Sequence, residues 1–184
     1  MIYIVSGFMR SGTSMMMRAI EAGGLEAVYS KARDAEMNAR WGEDGYVPNE
    51  SYYELGVEDY CSPNFPAKYD GKLIKCLIGG LLRIPPTACR VVVMRRPAKE
   101  IGDSLYAAFD WVPPQVETGH FDSMVDRMVD VLRDRRSFVS VDEVAYREVV
   151  ADPLTVFQRL AQAWPIDPVK AAAIPSRNET RIAA

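Results

Sequence analysis

Short apolar runs alternate along the chain with stretches in which apolar residues recur every three or four positions. The clearest run, RVVVM at residues 90–94, is continuously apolar, as in a strand that is covered on both faces. The clearest helical spacing lies in residues 122–135. The predicted strands are residues 2–5, 72–76, 90–94 and 138–141, and the predicted helices are residues 13–22, 32–41, 97–109, 122–135 and 153–163.

Strands that alternate with helices predict an α/β fold with three layers, in which helices cover both faces of a mostly parallel central sheet. A length of 184 residues predicts one domain spanning residues 1–184. Between about residues 30 and 70 the chain is rich in Gly, Pro, Asn and Tyr, which predicts a long, loop-rich excursion. We expect this excursion to shape a ligand pocket, because such loops vary independently of the fold.

Composition narrows the classes of partner and compartment. Lys and Arg number 22 against 25 Asp and Glu, a net charge of −3, which disfavours a protein that coats nucleic acid. Three cysteines without a CxxC pair and a single histidine disfavour a disulfide scaffold or a zinc site and favour a reducing compartment, so we expect a cytoplasmic protein. No apolar run is long enough to cross a membrane.

A glycine-punctuated loop joins the first predicted strand to the first predicted helix and reads GFMRSGTS from residue 7 to residue 14. The first turn of a helix has free backbone N–H groups and a positive dipole end, and glycines let the chain wrap closely around an anion. The loop therefore predicts a P-loop-like phosphate site. The P-loop of nucleotide hydrolases, GxxxxGK[ST], has a lysine where this chain has Thr13, so its main cation for the β- and γ-phosphates is missing.

The loop resembles that of sulfotransferases that use 3′-phosphoadenosine-5′-phosphosulfate (PAPS). In that family the first strand is followed by [KR]-S-G-T-[ST], which binds the 5′-phosphosulfate. The chain matches each position, with Arg10, Ser11, Gly12, Thr13 and Ser14. The resemblance implies that these five residues bind PAPS.

A second match to the family lies about eighty residues further on. Family members have a strand that ends in Arg and a Ser eight residues later, and both residues hold the 3′-phosphate. Here Arg96 and Ser104 have this spacing, whereas the residue eight positions after Arg95 is an acid that would repel phosphate, so Arg95 is only a possible second cation. The family's C-terminal glycine-rich loop for the 3′-phosphate is absent; Arg177 or Arg181 could replace it, or the tail could simply be polar.

Two further segments resemble the family. The run GKLIK at residues 71–75 is similar to the strand that ends in the catalytic lysine, which implies a catalytic role for Lys75 beside Arg10; a lysine at a strand edge is the alternative. The run YREVVADP at residues 146–153 is similar to the family's YEDLVADP, and we interpret it as structural.

The resemblance implies a transferase that moves a sulfuryl group from PAPS to a hydroxyl or amine of a small-molecule or peptide acceptor, with 3′,5′-adenosine bisphosphate as product and no metal. The chain is short for the family, which suggests a compact acceptor site or one completed by a second subunit of a homo-oligomer.

The general base is unassigned, because Leu77 stands where cytosolic members have His. Asp34, Glu36, Glu43 and Glu50 are near enough in sequence to be candidates, but no motif matches them.

Two other functions remain open from the sequence. The first is a P-loop nucleotide kinase or hydrolase, in which Asp142, after the apolar run FVSV, would hold Mg²⁺. The second is a non-catalytic module that binds nucleotide or protein, which the missing base would favour.

Overall fold

The computed structural model describes residues 1–41, 52–117 and 120–175. Its strands are β1 (Ile2–Gly7), β2 (Leu73–Lys75), β3 (Cys89–Arg95) and β4 (Phe138–Ala145). They form one sheet in the order β2-β1-β3-β4, and every neighbouring pair is parallel. This arrangement confirms the predicted α/β class with a parallel sheet.

Helices connect the strands and follow the last one. They are α1 (Thr13–Ala22), α2 (Lys31–Trp41), α3 (Val57–Tyr60), α4 (Phe65–Tyr69), α5 (Ala98–Phe109), α6 (Pro114–Glu117), α7 (Phe121–Arg133), α8 (Tyr146–Ala151), α9 (Pro153–Ala161) and α10 (Pro168–Ala172), with a 3-10 helix at Ile78–Arg83. Among the described residues, no helix combines the length and the apolar character needed to cross a bilayer.

Alternate residues of the central strands enter two apolar cores on opposite faces of the sheet. In β3, Val91 and Val93 belong to the core that includes side chains of α4, α5 and α7. Val92 and Met94 belong to the core that includes side chains of α1, α9 and α10. Successive side chains of a strand point to opposite faces, so a continuously apolar run is what a sheet between two helical layers requires. The predicted three-layer arrangement is therefore confirmed.

Element ends differ from the prediction most clearly in β4, which was expected to stop at residue 141 and continues to residue 145. Charged side chains in the extension had suggested the end of the strand. They are tolerated because β4 lies at the edge of the sheet, where Glu143 accepts a hydrogen bond from Arg133 at 2.8 Å and pairs with Arg95 at 3.5 Å.

The excursion between residues 30 and 70 contains more helix than the sequence suggested, since α3 and α4 lie within it. Like the 3-10 helix, α6, α8 and α10, these helices have too few turns to show an apolar period. Glu43 and Glu50, two of the candidate bases, lie outside the described residues, as do Arg177 and Arg181.

The carboxyl ends of the strands meet at one edge of the sheet. Gly7 of β1 pairs with Met94 of β3, which pairs with Val144 of β4, and Lys75 ends β2 opposite Val5. The loop after β1 and the residues that follow β2, β3 and β4 therefore come together at the edge where open parallel sheets bind their ligands.

Candidate functional site

The loop between β1 and α1 turns sharply and is held by its own hydrogen bonds. Arg10 has a φ of 68°, in the left-handed region that costs a residue with a side chain about 1–3 kcal/mol. Ser11 donates to the carbonyl oxygen of Phe8 from both its backbone N–H, at 3.2 Å, and its hydroxyl, at 2.7 Å. Ser11, a predicted PAPS contact, thus uses its donors to brace the loop, and its side chain is buried.

Two positions in the loop leave no room for a side chain. A Cβ on Gly7 would lie 2.5 Å from the Ser11 hydroxyl and 2.9 Å from the carbonyl oxygen of Met94. A Cβ on Gly12 would lie 2.6 Å from a ring carbon of Tyr146, and Gly12 has a φ of 97°. Glycine at these positions lets the loop pack against β3 and against the start of α8 while it keeps its turned conformation.

The first N–H groups of α1 have no hydrogen-bond partner in the described part of the chain. The N-cap residue is Gly12, which has no side chain to accept from these N–H groups. Within the described residues, the backbone N–H groups of Gly12, Thr13 and Ser14 make no hydrogen bond. Free N–H donors and the positive end of a helix dipole make such a turn an anion site.

Arg10, Arg96 and Ser104, which two separate motifs singled out, are in direct contact. Arg10 Nε donates to Ser104 Oγ at 3.0 Å, and Arg96 Nη1 donates to the carbonyl oxygen of Arg10 at 2.9 Å. Burial and the neighbouring Arg96 guanidinium lower the pKa of Arg10 to about 10, which leaves it cationic at neutral pH. Two cations this close repel each other, so an anion that binds both is favoured.

The Arg96 guanidinium is held on three sides and keeps one open donor. Its Nε pairs with Glu100 at 3.0 Å, its face lies 4.6 Å from the centre of the Tyr146 ring, and the side chain is 8% exposed. Within the described ranges, Nη2 makes no hydrogen bond or ion pair. A buried, fixed guanidinium with a free N–H₂ group is suited to bind a phosphate oxygen.

Lys75 lies at the other side of the loop, beside the first turn of α1. Its Nζ lies 3.5 Å from Ser14 Oγ and 2.6 Å from a carboxylate oxygen of Glu54, and it donates to the carbonyl oxygen of Tyr52. The lysine is 4% exposed. The structure thus places Lys75 next to Ser14, which a different motif of the same resemblance assigns to PAPS, and pairs it with an acid that no motif identified.

Asp34 holds the segment that carries Glu54. Its two carboxylate oxygens accept the backbone N–H of Tyr52 at 3.2 Å and that of Glu54 at 3.4 Å. Between them, Tyr53 has a φ of 56°, and its hydroxyl donates to Glu21 at 2.6 Å. A strained residue kept in place by bonds on both sides is common where a functional group must be aimed. Asp34, one of the candidate bases, positions this segment, whereas Glu54 faces Lys75.

Two other predicted site residues, Arg95 and Asp142, bind side chains outside the loop. Arg95 pairs with Asp126 at 2.5 Å and with Glu143 at 3.5 Å, so it joins α7 to β4. Asp142, the proposed Mg²⁺ ligand of the kinase hypothesis, pairs in register with Val92, which pairs with Val5 of β1. It therefore lies two residues before the level of Gly7, where β1 ends. Its carboxylate accepts the Ser140 hydroxyl at 3.1 Å. The described residues include no group of three or more His, Cys, Asp or Glu side chains that could hold a metal ion.

Comparison with known proteins identifies the fold. A sulfotransferase from Mycobacterium tuberculosis aligns with 95% of this chain and 71% of its own, with a TM-score of 0.53 and 14% sequence identity. The chain has a sulfotransferase-like fold. A sugar kinase from a Janibacter species aligns with 91% of this chain and 96% of its own, with a TM-score of 0.47 and 16% identity. No family model matches the sequence, and no curated protein matches it.

Sequence reasoning missed four residues of this region, one of which is Glu100, the partner of Arg96 at 3.0 Å. Glu54 belongs to no motif, and only its position in the excursion hinted at a role. Tyr146 and Arg147 belong to a segment that we interpreted as structural, yet Tyr146 supports Arg96 and Arg147 pairs with Glu100 at 2.5 Å. One signal in the sequence could have drawn attention to Arg147: it stands where the family's YEDLVADP run has Glu.

Proposed function

We propose that this protein is a transferase that moves a sulfuryl group from PAPS to a hydroxyl or amine acceptor, with 3′,5′-adenosine bisphosphate as the product. The observation that carries the proposal is the contact of Arg96 and Ser104 with Arg10, beside the free N–H groups that start α1. This contact supports one continuous site for the residues of both motifs, which a single nucleotide with phosphate groups on its 5′ and 3′ oxygens would require.

The donors match the two anionic ends of PAPS. The N–H groups of Thr13 and Ser14, together with Arg10, would bind the 5′-phosphosulfate. The open Nη2 of Arg96 and the hydroxyl of Ser104 would bind the 3′-phosphate. Guanidinium groups bind phosphate oxygens through charge-assisted hydrogen bonds, which are about twice as strong as neutral ones.

Sulfuryl transfer in line builds negative charge on the leaving phosphate oxygen and spreads charge over the sulfonate, by analogy with phosphoryl transfer. Fixed cations and N–H donors stabilise that charge without having to reorganise. In the proposed mechanism Arg10 and Lys75 supply these cations, from opposite sides of the loop. Loss of one such donor costs about 3 kcal/mol of transition-state binding, roughly a hundredfold in rate.

Glu54 is our candidate for the group that takes the acceptor's proton. Its side chain is 26% exposed, and its carboxylate lies 2.6 Å from Lys75, so Glu54 is partly accessible to an acceptor and close to the proposed sulfonate ligand. A general base must lie within hydrogen-bond reach of the proton it removes, and Glu54 would meet this condition for an acceptor bound beside Lys75. The acceptor's hydroxyl or amine would then lie beside the Glu54–Lys75 ion pair, within hydrogen-bond reach of the Glu54 carboxylate.

Ligand binding tests the proposal before any acceptor is known. We expect 3′,5′-adenosine bisphosphate to stabilise the protein without Mg²⁺, by about 2.7 kcal/mol at 100 times its Kd, which is roughly 5–10 °C in melting temperature. Stabilisation by Mg-ATP alone would contradict the proposal and support the kinase. Binding of the bisphosphate with no sulfation across a broad screen of alcohols and amines would favour a non-catalytic nucleotide-binding module.

The 3′-phosphate assignment is tested with Arg96→Ala. Loss of charged hydrogen bonds worth about 1.5–3 kcal/mol should weaken 3′,5′-adenosine bisphosphate roughly 10- to 100-fold and 5′-AMP much less, measured by calorimetry. Arg133→Ala is the matched control, because Arg133 is half exposed and pairs with Glu143 away from the loop. Equal weakening of both nucleotides in Arg96→Ala would overturn the assignment.

A further inference from the structure

One carboxylate beside the loop connects two arginines from different elements. Glu100 accepts from Arg96 Nε at 3.0 Å through one oxygen, and from Arg147 Nε at 2.7 Å and Nη2 at 2.5 Å through the other. Arg96 in turn contacts Arg10. Three guanidinium groups and one carboxylate thus lie in a continuous chain of contacts with a net charge of +2.

The backbone brings these groups together for separate reasons. Glu100 and Ser104 are four residues apart on α5 and so share one face of that helix, and Arg96 lies just before its N-cap, Pro97, where its Nε reaches Glu100. Arg147 follows Tyr146, whose ring packs against Gly12 and lies under the Arg96 guanidinium. Helix α8 therefore places Arg147 beside the candidate 3′-phosphate site as a consequence of the same packing that supports Arg96.

The carboxylate leaves both arginines with donors to offer. Glu100 occupies Nε of Arg96 and Nε and Nη2 of Arg147, and within the described ranges Arg96 Nη2 and Arg147 Nη1 make no hydrogen bond or ion pair. Arg147 is 76% exposed, so without a partner its long side chain would sample many rotamers. Hydrogen bonds from Arg96 and Arg147 hold the pKa of the Glu100 carboxyl below its usual value, against the opposing effect of its burial. The carboxylate is therefore ionised and holds Arg147 at the site.

We propose that Arg147 is the second guanidinium of the 3′-phosphate site and that Glu100 is a positioning residue, which orients Arg147 and Arg96 toward the same phosphate. This inference rests on the proposed function. A 3′-phosphate carries about −1.5 to −2 charges near neutral pH and presents three acceptor oxygens, so one arginine and one hydroxyl leave part of its charge unmatched. With Arg147, the site specifically recognises nucleotides that carry a phosphate on the 3′-oxygen.

The test compares two nucleotides on three variants by calorimetry. For Arg147→Gln we expect the Kd of 3′,5′-adenosine bisphosphate to rise about tenfold or more, while that of 5′-AMP changes less than twofold, because only the former has the 3′-phosphate. Arg147→Lys should recover part of the lost affinity, because it restores the charge without the planar fork. Arg159→Gln is the control and should match the parent protein, since Arg159 is a half-exposed arginine that pairs with Glu148 on α8.

The outcomes separate this inference from the proposed function. If the parent protein binds the bisphosphate more tightly than 5′-AMP and Arg147→Gln keeps that preference, the role of Arg147 is wrong and the proposed function stands. If the parent protein does not distinguish the two nucleotides, both are wrong. Equal weakening of both nucleotides in Arg147→Gln would also overturn the inference, because it would indicate general electrostatic attraction.

Discussion

Gly12→Ala perturbs the point where the loop, α8 and Arg96 meet. Gly12 has a φ of 97°, and an added Cβ would lie 2.6 Å from the Tyr146 ring, far inside van der Waals contact. The same ring lies under the Arg96 guanidinium at 4.6 Å. The substitution should therefore strain the backbone, push the ring aside and disturb the arginine that we assign to the 3′-phosphate.

Gly24 supplies a matched control. It has a φ of 113°, and no atom lies within 4 Å of an added Cβ, so Gly24→Ala carries the backbone strain without the clash. We expect the left-handed conformation to cost about 1–2 kcal/mol in each variant. The clash should add about 1–3 kcal/mol in Gly12→Ala alone, as overpacking does. For a chain of this size each kcal/mol corresponds to roughly 2–4 °C in melting temperature.

Urea denaturation measures the stability term, and calorimetry with 3′,5′-adenosine bisphosphate measures the effect on the site. Gly12→Ala should be less stable than Gly24→Ala by the clash term and should bind the bisphosphate at least tenfold more weakly, whereas Gly24→Ala should bind like the parent protein. A double-mutant cycle with Tyr146→Ala should show coupling, since removing the ring removes the clash. Equal loss of stability in the two glycine variants, or no coupling, would refute the packing described for Tyr146.

Two further substitutions test the acids of the site. Glu54→Gln should lower kcat about 10²- to 10⁴-fold for an identified acceptor and leave the Kd of 3′,5′-adenosine bisphosphate unchanged. The control Glu58→Gln, at a side chain that is 77% exposed, should change neither kcat nor Kd, and a full rate in Glu54→Gln would exclude Glu54 as the base. Burial raises the pKa of Glu100, but hydrogen bonds from Arg96 and Arg147 outweigh that effect, so its pKa is lowered from 4.5. Ionised Glu100 therefore stabilises the fold above pH 4.5, and this contribution is lost as the pH falls through the lowered pKa. The urea midpoint should therefore fall less between pH 6 and pH 4 in Glu100→Gln than in the parent protein. An equal fall in the two proteins would contradict the ion pairs of Glu100.

The layered fold was predictable because its signals are local and repeated. The continuous apolar run of β3 reports burial on both faces, and the apolar spacing of α7 reports one buried face. The extension of β4 was not predictable in this way, since it depends on Arg133 and Arg95 pairing with Glu143. Arginines from other elements pair with Glu143 and so allow β4 to continue past the point where its charged residues had predicted its end.

The part of the candidate site that motifs encode could be named from the sequence, and the part that pairing creates could not. Arg10, Arg96 and Ser104 have fixed spacings from strand ends, and the structure brings them into contact. Glu54 has no such spacing. Its position depends on Asp34, which binds the backbone on both sides of the strained Tyr53.

Arg147 and Glu54 have in common that no motif predicts the ion pair that each of them forms. Each is paired with a residue of opposite charge on a different strand-end segment, Arg147 with Glu100 and Glu54 with Lys75. Lys75 and Arg147 lie in segments that resemble the family, whereas their partners, Glu54 and Glu100, match no motif. A motif records only one member of each pair, so specificity can change through the other member while the fold and the phosphate loop stay the same. Under the proposed function, we expect changes at Glu54 to alter the choice of acceptor and changes at Glu100 to alter the choice of nucleotide.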